Sequence, residues 1–127
     1  MIVDWGMYMD SDELRKRTNA FALRAIRVVA ALPRSTIADV LGKQLLRSGT
    51  SVGANYRDAC RARSKADFAA KAGICAQEAD ESLYWLELLA DSGLMRRSRL
   101  ASLQKEANEL VAIFTSSVRT ARHNKDP

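Results

Sequence analysis

Apolar residues recur at alternating spacings of four and three residues along four stretches of the chain, a pattern typical of amphipathic helices that pack along one face. The first stretch predicts a helix that begins near Ser11, capped by Asp10 with Glu13 completing a capping box, and that ends at Pro33. Glu13 also stands four residues before Arg17, a spacing that favours an ion pair on the exposed face. The predicted core positions are Leu14, Thr18, Phe21, Ala25, Val28 and Leu32.

The second helix is predicted to start after Ser35 or Thr36 and to run to about Arg61. Its apolar stripe is poorer, because residues 48–53 read SGTSVG and each glycine costs about 1 kcal/mol relative to alanine in a helix. A break in this segment, which would make two short helices, is therefore the alternative. The predicted core positions are Ile37, Leu41, Leu45, Ser48, Val52 and Tyr56.

The third helix begins with a capping box, Ser64 followed by Asp67, directly before Phe68 opens an apolar run, and Gly93 marks its end. Its predicted core positions are Phe68, Ala72, Cys75, Ala79, Ser82, Leu86 and Leu89. The fourth helix starts near Ser98, and its predicted core positions are Leu100, Leu103, Ala107, Leu110, Phe114, Ser117 and Ala121. Short loops make helices that follow each other in sequence antiparallel. The sequence therefore predicts an all-α fold, an antiparallel up-down-up-down four-helix bundle, as one domain over residues 1–127 with tails at 1–10 and 123–127.

The glycines of the second and third helices allow a finer prediction. A turn near Arg63 would place Gly53 and Gly73 at the same height on facing helices, where two residues without side chains permit a short distance between the axes. The Gly49-x-x-x-Gly53 spacing is then interpreted as helix packing, since no glycine-lysine-Ser/Thr phosphate loop is present.

Composition narrows the function classes. With 127 residues, 47% hydrophobic and 28% charged, the chain is of ordinary globular type with room for one core. The two cysteines, Cys60 and Cys75, and the single His123 offer neither metal-ligand spacing nor a nucleophile–base pair. No secretory signal and no apolar run of about 18 residues is found. We therefore expect a cytoplasmic protein that is not an enzyme, with no cofactor, metal, membrane or small-molecule substrate.

The net charge of +5 is distributed unevenly. Antiparallel connectivity gathers the start of the first helix, the turn between the second and third, and the end of the fourth at one end of the bundle. The cations predicted there to bind nucleic acid are Arg15, Arg57, Arg61, Arg63, Lys65, Arg119 and Arg122, with Lys16, Arg17 and Lys125 nearby. The third helix, by contrast, carries Glu78, Asp80, Glu81, Glu87 and Asp91 with no base between them. Three interpretations stay open: solvated faces, a surface that contacts phosphates, and self-association of basic and acidic surfaces.

A second apolar stripe lies beside the core stripe on two helices. Tyr84, Trp85 and Leu88 form it on the third helix, and Ala22, Ile26 and Val29 form it on the first. Such a stripe is either a wide edge of the core or a subunit interface, where Tyr and Trp are enriched. The residues predicted to form an oligomer interface are Tyr84, Trp85, Leu88, Ile26 and Val29.

Three segments resemble a known family: residues 45–56 (LLRSGTSVGANY), 61–68 (RARSKADF) and 78–86 (EADESLYWL). Over roughly residues 14–121 the chain resembles the bacterial four-helix bundle proteins first noted as products of intervening sequences in large-subunit ribosomal RNA. The resemblance extends to the accessory variability proteins of diversity-generating retroelements, and it implies a homopentamer whose partners are nucleic acid (RNA or DNA) or a reverse transcriptase.

Residues 54–59 of this chain depart from the family pattern, since they read ANYRDA where many members have SNIAEG. The positions carried over from the family pattern are Asn55, Asp58 (where the family has glutamate), Arg63, Ser64, Asp67 and Phe68. Capping, packing and a hydrogen bond of Asn55 across the hairpin would account for most of them.

Two functions follow as hypotheses. The first is a non-enzymatic homo-oligomeric scaffold that binds nucleic acid, or an enzyme acting on nucleic acid, through its basic end. The alternative is a structural oligomer with a protein partner and no nucleic-acid role.

Overall fold

The computed structural model describes residues 11–123, which form four α-helices: α1 (Ser11–Ala30), α2 (Thr36–Ala59), α3 (Lys65–Asp91) and α4 (Arg97–His123). No strand occurs among these residues. Each helix begins and ends within a few residues of its predicted bounds, and the all-α prediction is confirmed. Helix α2 runs unbroken through residues 48–53, so the alternative of two short helices is wrong.

Local signals in the sequence account for the helix starts. The Ser35 hydroxyl accepts a hydrogen bond from the Ala38 N–H at 3.0 Å, and Ser64 accepts one from the Asp67 N–H at 3.0 Å. The Asp67 carboxylate in turn accepts from the Arg63 N–H at 3.2 Å, which completes the capping box of α3. The predicted cap at Asp10 lies outside the described residues.

Gly93 ends the α3 segment as predicted. Its φ of +78° lies in the left-handed region that residues other than glycine rarely adopt. The chain then reverses, and the Met95 N–H donates to the Leu89 carbonyl at 3.2 Å.

The helices are arranged as a four-helix bundle with antiparallel neighbours. Among residues 11–123, the backbone of α1 lies beside those of α2 and α4, and the backbone of α3 lies beside the same two helices. The backbones of the diagonal pairs α1–α3 and α2–α4 are farther apart, although core side chains meet across the centre, as the rings of Tyr56 and Phe114 do with centroids 5.7 Å apart. The four helices therefore stand at the corners of a quadrilateral in chain order, and α1 and α3 lie on a diagonal. The up-down-up-down prediction is confirmed.

The predicted stripes form the core. All seven predicted positions of α3 and all seven of α4 are buried. Helix α2 differs in its first turns, because Ala38 and Gly42 face inward there. Ile37, which was predicted to be buried, is 63% exposed, and Leu41 is only partly buried.

The close approach of helices lies between α1 and α2, and the predicted pairing of Gly53 with Gly73 is wrong. A Cβ on Gly53 would meet the Thr18 side chain of α1 at 3.3 Å, and a Cβ on Gly49 would lie 2.8 Å from the Ala25 Cβ. Gly73 instead faces Val118 of α4. Gly53 lies on the side of α2 that faces α1, whereas Gly73 lies on the side of α3 that faces α4. The two glycines therefore do not face each other. The interpretation of Gly49-x-x-x-Gly53 as helix packing is confirmed, with α1 as the partner.

No helix among residues 11–123 is both long and apolar enough to cross a membrane.

Candidate nucleic-acid interface

A groove between α1 and α2, which we call the α1–α2 groove, opens near the start of α1 with a volume of about 390 Å³. Small residues on both helices leave this space free, and Arg15 and Arg57 supply positive charge from its two sides. Among residues 11–123, no acidic side chain lines it. The lining residues are Arg15, Thr18, Asn19, Ala22, Thr50, Gly53, Ala54 and Arg57.

Arg15 carries an unusual donor in this groove. Its Nε is buried and has no hydrogen-bond partner among the described residues. A buried donor left unpaired costs about 1–3 kcal/mol, and more when the group is charged. The nearby Thr18 hydroxyl donates to the backbone carbonyl of Arg15 at 3.1 Å and makes no hydrogen bond with this Nε. A turn of the Arg15 side chain that brings this donor to an acceptor in the groove would remove this cost.

A second groove, the α3–α4 groove, has a volume of about 500 Å³, and no acidic side chain from the described part of the chain lines it. Since α1–α2 and α3–α4 are opposite edges of the bundle, the two grooves lie on opposite sides. The residues that line it are Gly73, Ala76, Thr115, Val118, Arg119, Arg122 and His123. His123 is part of α4, whereas the sequence assigns it to a tail.

The predicted cations lie at one end of the bundle, which we call the basic end. There the Tyr56 hydroxyl of α2 donates to the Ser11 carbonyl of α1 at 3.4 Å, and Gly73 of α3 faces Val118 of α4. Within this end the set divides into three groups. Arg15 and Arg57 share one groove, Arg119 and Arg122 share the other, and the remaining cations, Arg61, Arg63 and Lys65, lie in or beside the turn between them. Lys125 lies outside the described residues.

Positive charge is not confined to that end, and the sequence reasoning missed the second set. The opposite end carries exposed arginines in the α1–α2 turn and at the start of α4, namely Arg34, Arg96, Arg97 and Arg99. The same antiparallel connectivity, applied to both ends, would have identified them. The two ends still differ: Arg97 pairs with Asp91 at 2.8 Å, and the groove at this end contains Asp39 beside Arg34 and Lys43.

The acidic run on α3 is partly neutralised within the bundle. Arg47 of α2 binds Glu78 at 3.0 Å and also pairs with Glu81. With Asp91 held by Arg97, the exposed carboxylates of Asp80 and Glu87 are those left without an ion pair among the described residues. The acidic surface offered to a second molecule is therefore smaller than the sequence suggests.

Arg17 has a different partner from the one its spacing suggests. Its guanidinium binds Glu106 of α4 at 2.7 Å and Glu109 at 3.2 Å, instead of Glu13 one turn earlier. The hydrogen bonds that Arg17 donates to the Glu106 carboxylate raise the pKa of Arg17 above its ordinary value. This cation therefore belongs to the α1–α4 contact and not to the free charge of the basic end.

The predicted interface residues lie on two separate surfaces. Ile26 is 41% exposed on α1 and Tyr84 is 53% exposed on α3, and these helices stand on a diagonal. The Tyr84 and Trp85 rings pack with their centroids 5.1 Å apart, and the buried Trp85 Nε1 has no hydrogen-bond partner among the described residues. Val29 and Trp85 also pack against the core, so these two residues belong to a wide edge of the core, which was the alternative to a subunit interface. Leu88 is half-buried.

The positions that match the family pattern have mostly structural contacts. Ser64 and Asp67 form the cap of α3, and Phe68 is 1% exposed. The Asn55 side chain donates to the Ser51 carbonyl of its own helix at 2.8 Å, so the suggested hydrogen bond across the hairpin is wrong. Asp58 is exposed, and nothing in the structure explains its identity.

Thiol and metal chemistry find little support in the described part of the chain. Cys60 and Cys75 are buried free thiols, and burial raises the pKa of Cys75 to about 12. Among residues 11–123, no group of three or more His, Cys, Asp or Glu side chains is arranged to hold a metal ion.

Comparison with known proteins shows to which family the chain is related. Residues 11–116 match the family described as 23S rRNA-intervening sequence protein. A crystal structure of a protein with unknown function from the S23 ribosomal protein family of Bacteroides thetaiotaomicron is similar, with 35% identity and a TM-score of 0.80, covering 87% of this chain and 99% of that chain. No curated protein matches. Since the family match spans most of the chain and the relative has the same fold over nearly its full length, the chain belongs to the family of 23S rRNA-intervening sequence proteins.

Proposed function

We propose that the protein is a non-enzymatic homo-oligomeric scaffold, a pentamer, that binds nucleic acid or an enzyme acting on nucleic acid through its basic end. The observation that carries the proposal is the pair of grooves at this end, each lined by two arginines and by no acidic side chain of residues 11–123. Guanidinium groups match the geometry of phosphate oxygens, and backbone phosphates supply most of the affinity in such complexes.

The distribution of apolar surface supports the oligomer. Exposed apolar side chains on α1 and on α3 lie on different sides of the bundle, because these helices stand on a diagonal. A twofold interface would use one patch on both copies, whereas two different patches favour a head-to-tail contact that closes into a ring. The aromatic pair Tyr84 and Trp85 is of the composition that subunit interfaces favour.

The nucleic-acid role is tested by fluorescence anisotropy with labelled RNA and DNA oligonucleotides over a salt series. The variant carries Arg57→Ala, Arg61→Ala and Arg63→Ala together. Its matched control carries Arg34→Ala, Arg96→Ala and Arg99→Ala, which removes the same charge from the opposite end. If three phosphate contacts are lost, the slope of log affinity against log salt falls by about 2 in the first variant, at about 0.7 per phosphate of a single strand.

Equal losses in the two triple variants would contradict a role for the basic end. No binding by the wild-type protein, even at low salt, would contradict nucleic-acid binding altogether and favour a partner that is a protein.

The oligomer is tested by sedimentation velocity at micromolar concentration, where five times the chain mass of 14.1 kDa is expected. Tyr84→Asp and Ile26→Asp each place a charge on one of the two apolar surfaces, and each is expected to lower the mass. Asn108→Asp, an exposed change on α4, is the control. A wild-type monomer would contradict the proposal.

A further inference from the structure

We infer that the α1–α2 groove is a binding site for a phosphate group of a nucleic-acid backbone, with Arg15 as its principal ligand-binding residue. This inference rests on the proposed function and makes it specific, since it selects one of the two basic grooves and the group that occupies it.

The state of Arg15 is the first reason. Its Nε is shielded from solvent and has no partner among the described residues, so a turn of the side chain toward an anion in the groove would give this donor its hydrogen bond. Arg15 also lies in the second turn of α1, whose packing on α2 holds the backbone of this residue beside the groove. A charged donor that is unpaired before the ligand arrives gains a full charge-assisted hydrogen bond when an anion binds.

The surroundings of Arg15 are the second reason. Arg57 approaches from the facing helix, and no acidic side chain of residues 11–123 lines the groove beside the two cations. The room for an anion depends on residues with little or no side chain, Ala22, Gly53 and Ala54. Two guanidinium groups on different helices can hold two oxygens of one phosphate.

The neutral polar groups of the groove fit the rest of a nucleotide. The Thr50 hydroxyl donates to the Leu46 carbonyl at 2.7 Å, so it can only accept a further hydrogen bond, which suits a sugar hydroxyl better than a phosphate oxygen. Asn19 is exposed at the groove, and its amide can donate to a phosphate oxygen.

The α3–α4 groove lacks this combination. Its two arginines, Arg119 and Arg122, are exposed and come from the same helix. Neither has a buried unpaired donor. Solvated arginines of this kind give salt-dependent attraction without a defined position.

The direct experiment observes the Arg15 Nε–Hε resonance by NMR in the full-length ¹⁵N-labelled protein. Oligouridylate and oligothymidylate of ten nucleotides are titrated in, with inorganic phosphate in a separate arm. A saturable shift of this resonance with the oligonucleotides is expected, and its dissociation constant should equal the one measured by anisotropy. A resonance that does not move while the oligonucleotide binds would overturn the inference.

The oligonucleotide affinities of three variants test the same inference. Arg15→Gln is expected to weaken oligonucleotide binding by about tenfold, the effect of losing one charged hydrogen bond. Ala54→Leu fills the groove without changing charge at an exposed position, and it should weaken binding comparably. Arg27→Gln, exposed on the same helix at the opposite end, is the control for charge and should change affinity less than about twofold. Circular dichroism of each variant verifies the fold.

The outcomes separate this inference from the proposed function. If Arg61→Gln with Arg63→Gln abolishes binding while Arg15→Gln and Ala54→Leu bind as the wild type does, the basic end binds nucleic acid and the inference is wrong. An Arg15 resonance that shifts with protein concentration and not with oligonucleotide would also overturn it, because the occupant would then be a carboxylate of a second copy.

Discussion

Gly49 of α2 lies against Ala25 of α1 so closely that a Cβ added to Gly49 would come within 2.8 Å of the Ala25 Cβ. Alanine is already the smallest side chain with a Cβ, and neither residue has a flexible end that could move aside. The two backbones at this level are therefore held at a distance that only glycine permits on α2. The segment that looks weakest as a helix in the sequence is the one that sets the α1–α2 contact.

Gly49→Ala is expected to destabilise the protein by about 1–3 kcal/mol, because overpacking outweighs the gain in helix propensity. Gly73→Ala is the matched control. A Cβ there would meet only Val118 at 4.0 Å, so the same substitution should stabilise the protein by about 0.5–1 kcal/mol. Urea denaturation of both variants measures the difference, and a stabilised Gly49→Ala protein would contradict the close contact.

Ser48 and Ser82 form a buried hydrogen bond between α2 and α3, with their Oγ atoms 2.8 Å apart. Ser82 also lies 2.8 Å from the Glu78 carbonyl, so each hydroxyl retains a local partner when the other is removed. Ser48→Ala and Ser82→Ala should each cost about 1 kcal/mol. In a double-mutant cycle the combined cost should fall short of the sum by about 0.5–1 kcal/mol. Strict additivity would mean that the two hydroxyls do not interact.

The capping box of α3 should make stability depend on pH in the acid range. The backbone hydrogen bond from Arg63 lowers the pKa of Asp67 below its ordinary value, with Lys71 adding to the effect. A carboxyl whose pKa is lowered on folding stabilises the protein above its unfolded pKa of about 4, and this stabilisation is lost as pH falls through the folded value. Asp67→Asn should therefore be less stable than the wild type at pH 7, and the difference should vanish near pH 2.

Ser64→Ala tests the assignment, because it removes the other half of the same box without removing a titrating group. Its deficit of about 1 kcal/mol should persist across the acid range. A deficit for Asp67→Asn that is equally independent of pH would contradict the role of the carboxylate charge.

Cys75 should be inert in the native protein. Burial raises the pKa of its thiol to about 12, whereas an unfolded cysteine ionises near 8.5, so the reactive thiolate forms in the unfolded chain first. A thiol reagent at pH 8 should label Cys75 only at the rate of opening or unfolding. Cys60→Ser isolates the signal of Cys75, and rapid labelling of this variant without denaturant would contradict the burial.

The same shift makes a prediction for alkaline stability. A thiol whose pKa is raised on folding stabilises the native state below the unfolded pKa, and this contribution is lost as pH rises toward the folded value. Between about pH 8.5 and 11 the wild type should therefore lose stability relative to Cys75→Ala. Thermal unfolding of both proteins at several pH values measures it.

Much of the fold could be predicted from the sequence, because its signals are local. The capping pair Ser64 and Asp67 acts within one turn, and the buried stripe of α4 follows from the spacing of residues such as Leu103 and Phe114 along a single helix. Periodicity, however, does not determine how a helix is rotated between its two neighbours. A modest rotation of α2 decides whether Gly53 faces α1 or α3, and for this reason its pairing with Gly73 was wrong.

The candidate site was harder to predict for the same reason. Connectivity alone places Arg15 and Arg57 at one end, but the groove between them depends on the close α1–α2 contact. Ion pairs between residues far apart in sequence are equally hard to predict from the spacing along one helix. Arg17 has Glu13 within reach of its own helix, yet it binds Glu106, since a two-pronged contact in a half-buried position is stronger than a single exposed pair.

The unequal edges of the bundle have a consequence for its motions. Helix α1 packs extensively on α2 but meets α4 through long polar side chains, Arg17 to Glu106 and Arg24 to Ser102, whereas α2, α3 and α4 pack extensively in succession. The α1–α4 edge is therefore where water can first enter the native protein. In amide hydrogen exchange, α1 should open as one cooperative unit, at a lower free energy than the other three helices. In this opening α1 should stay in contact with α2 while it separates from α4, which exposes the buried side chain of Phe21.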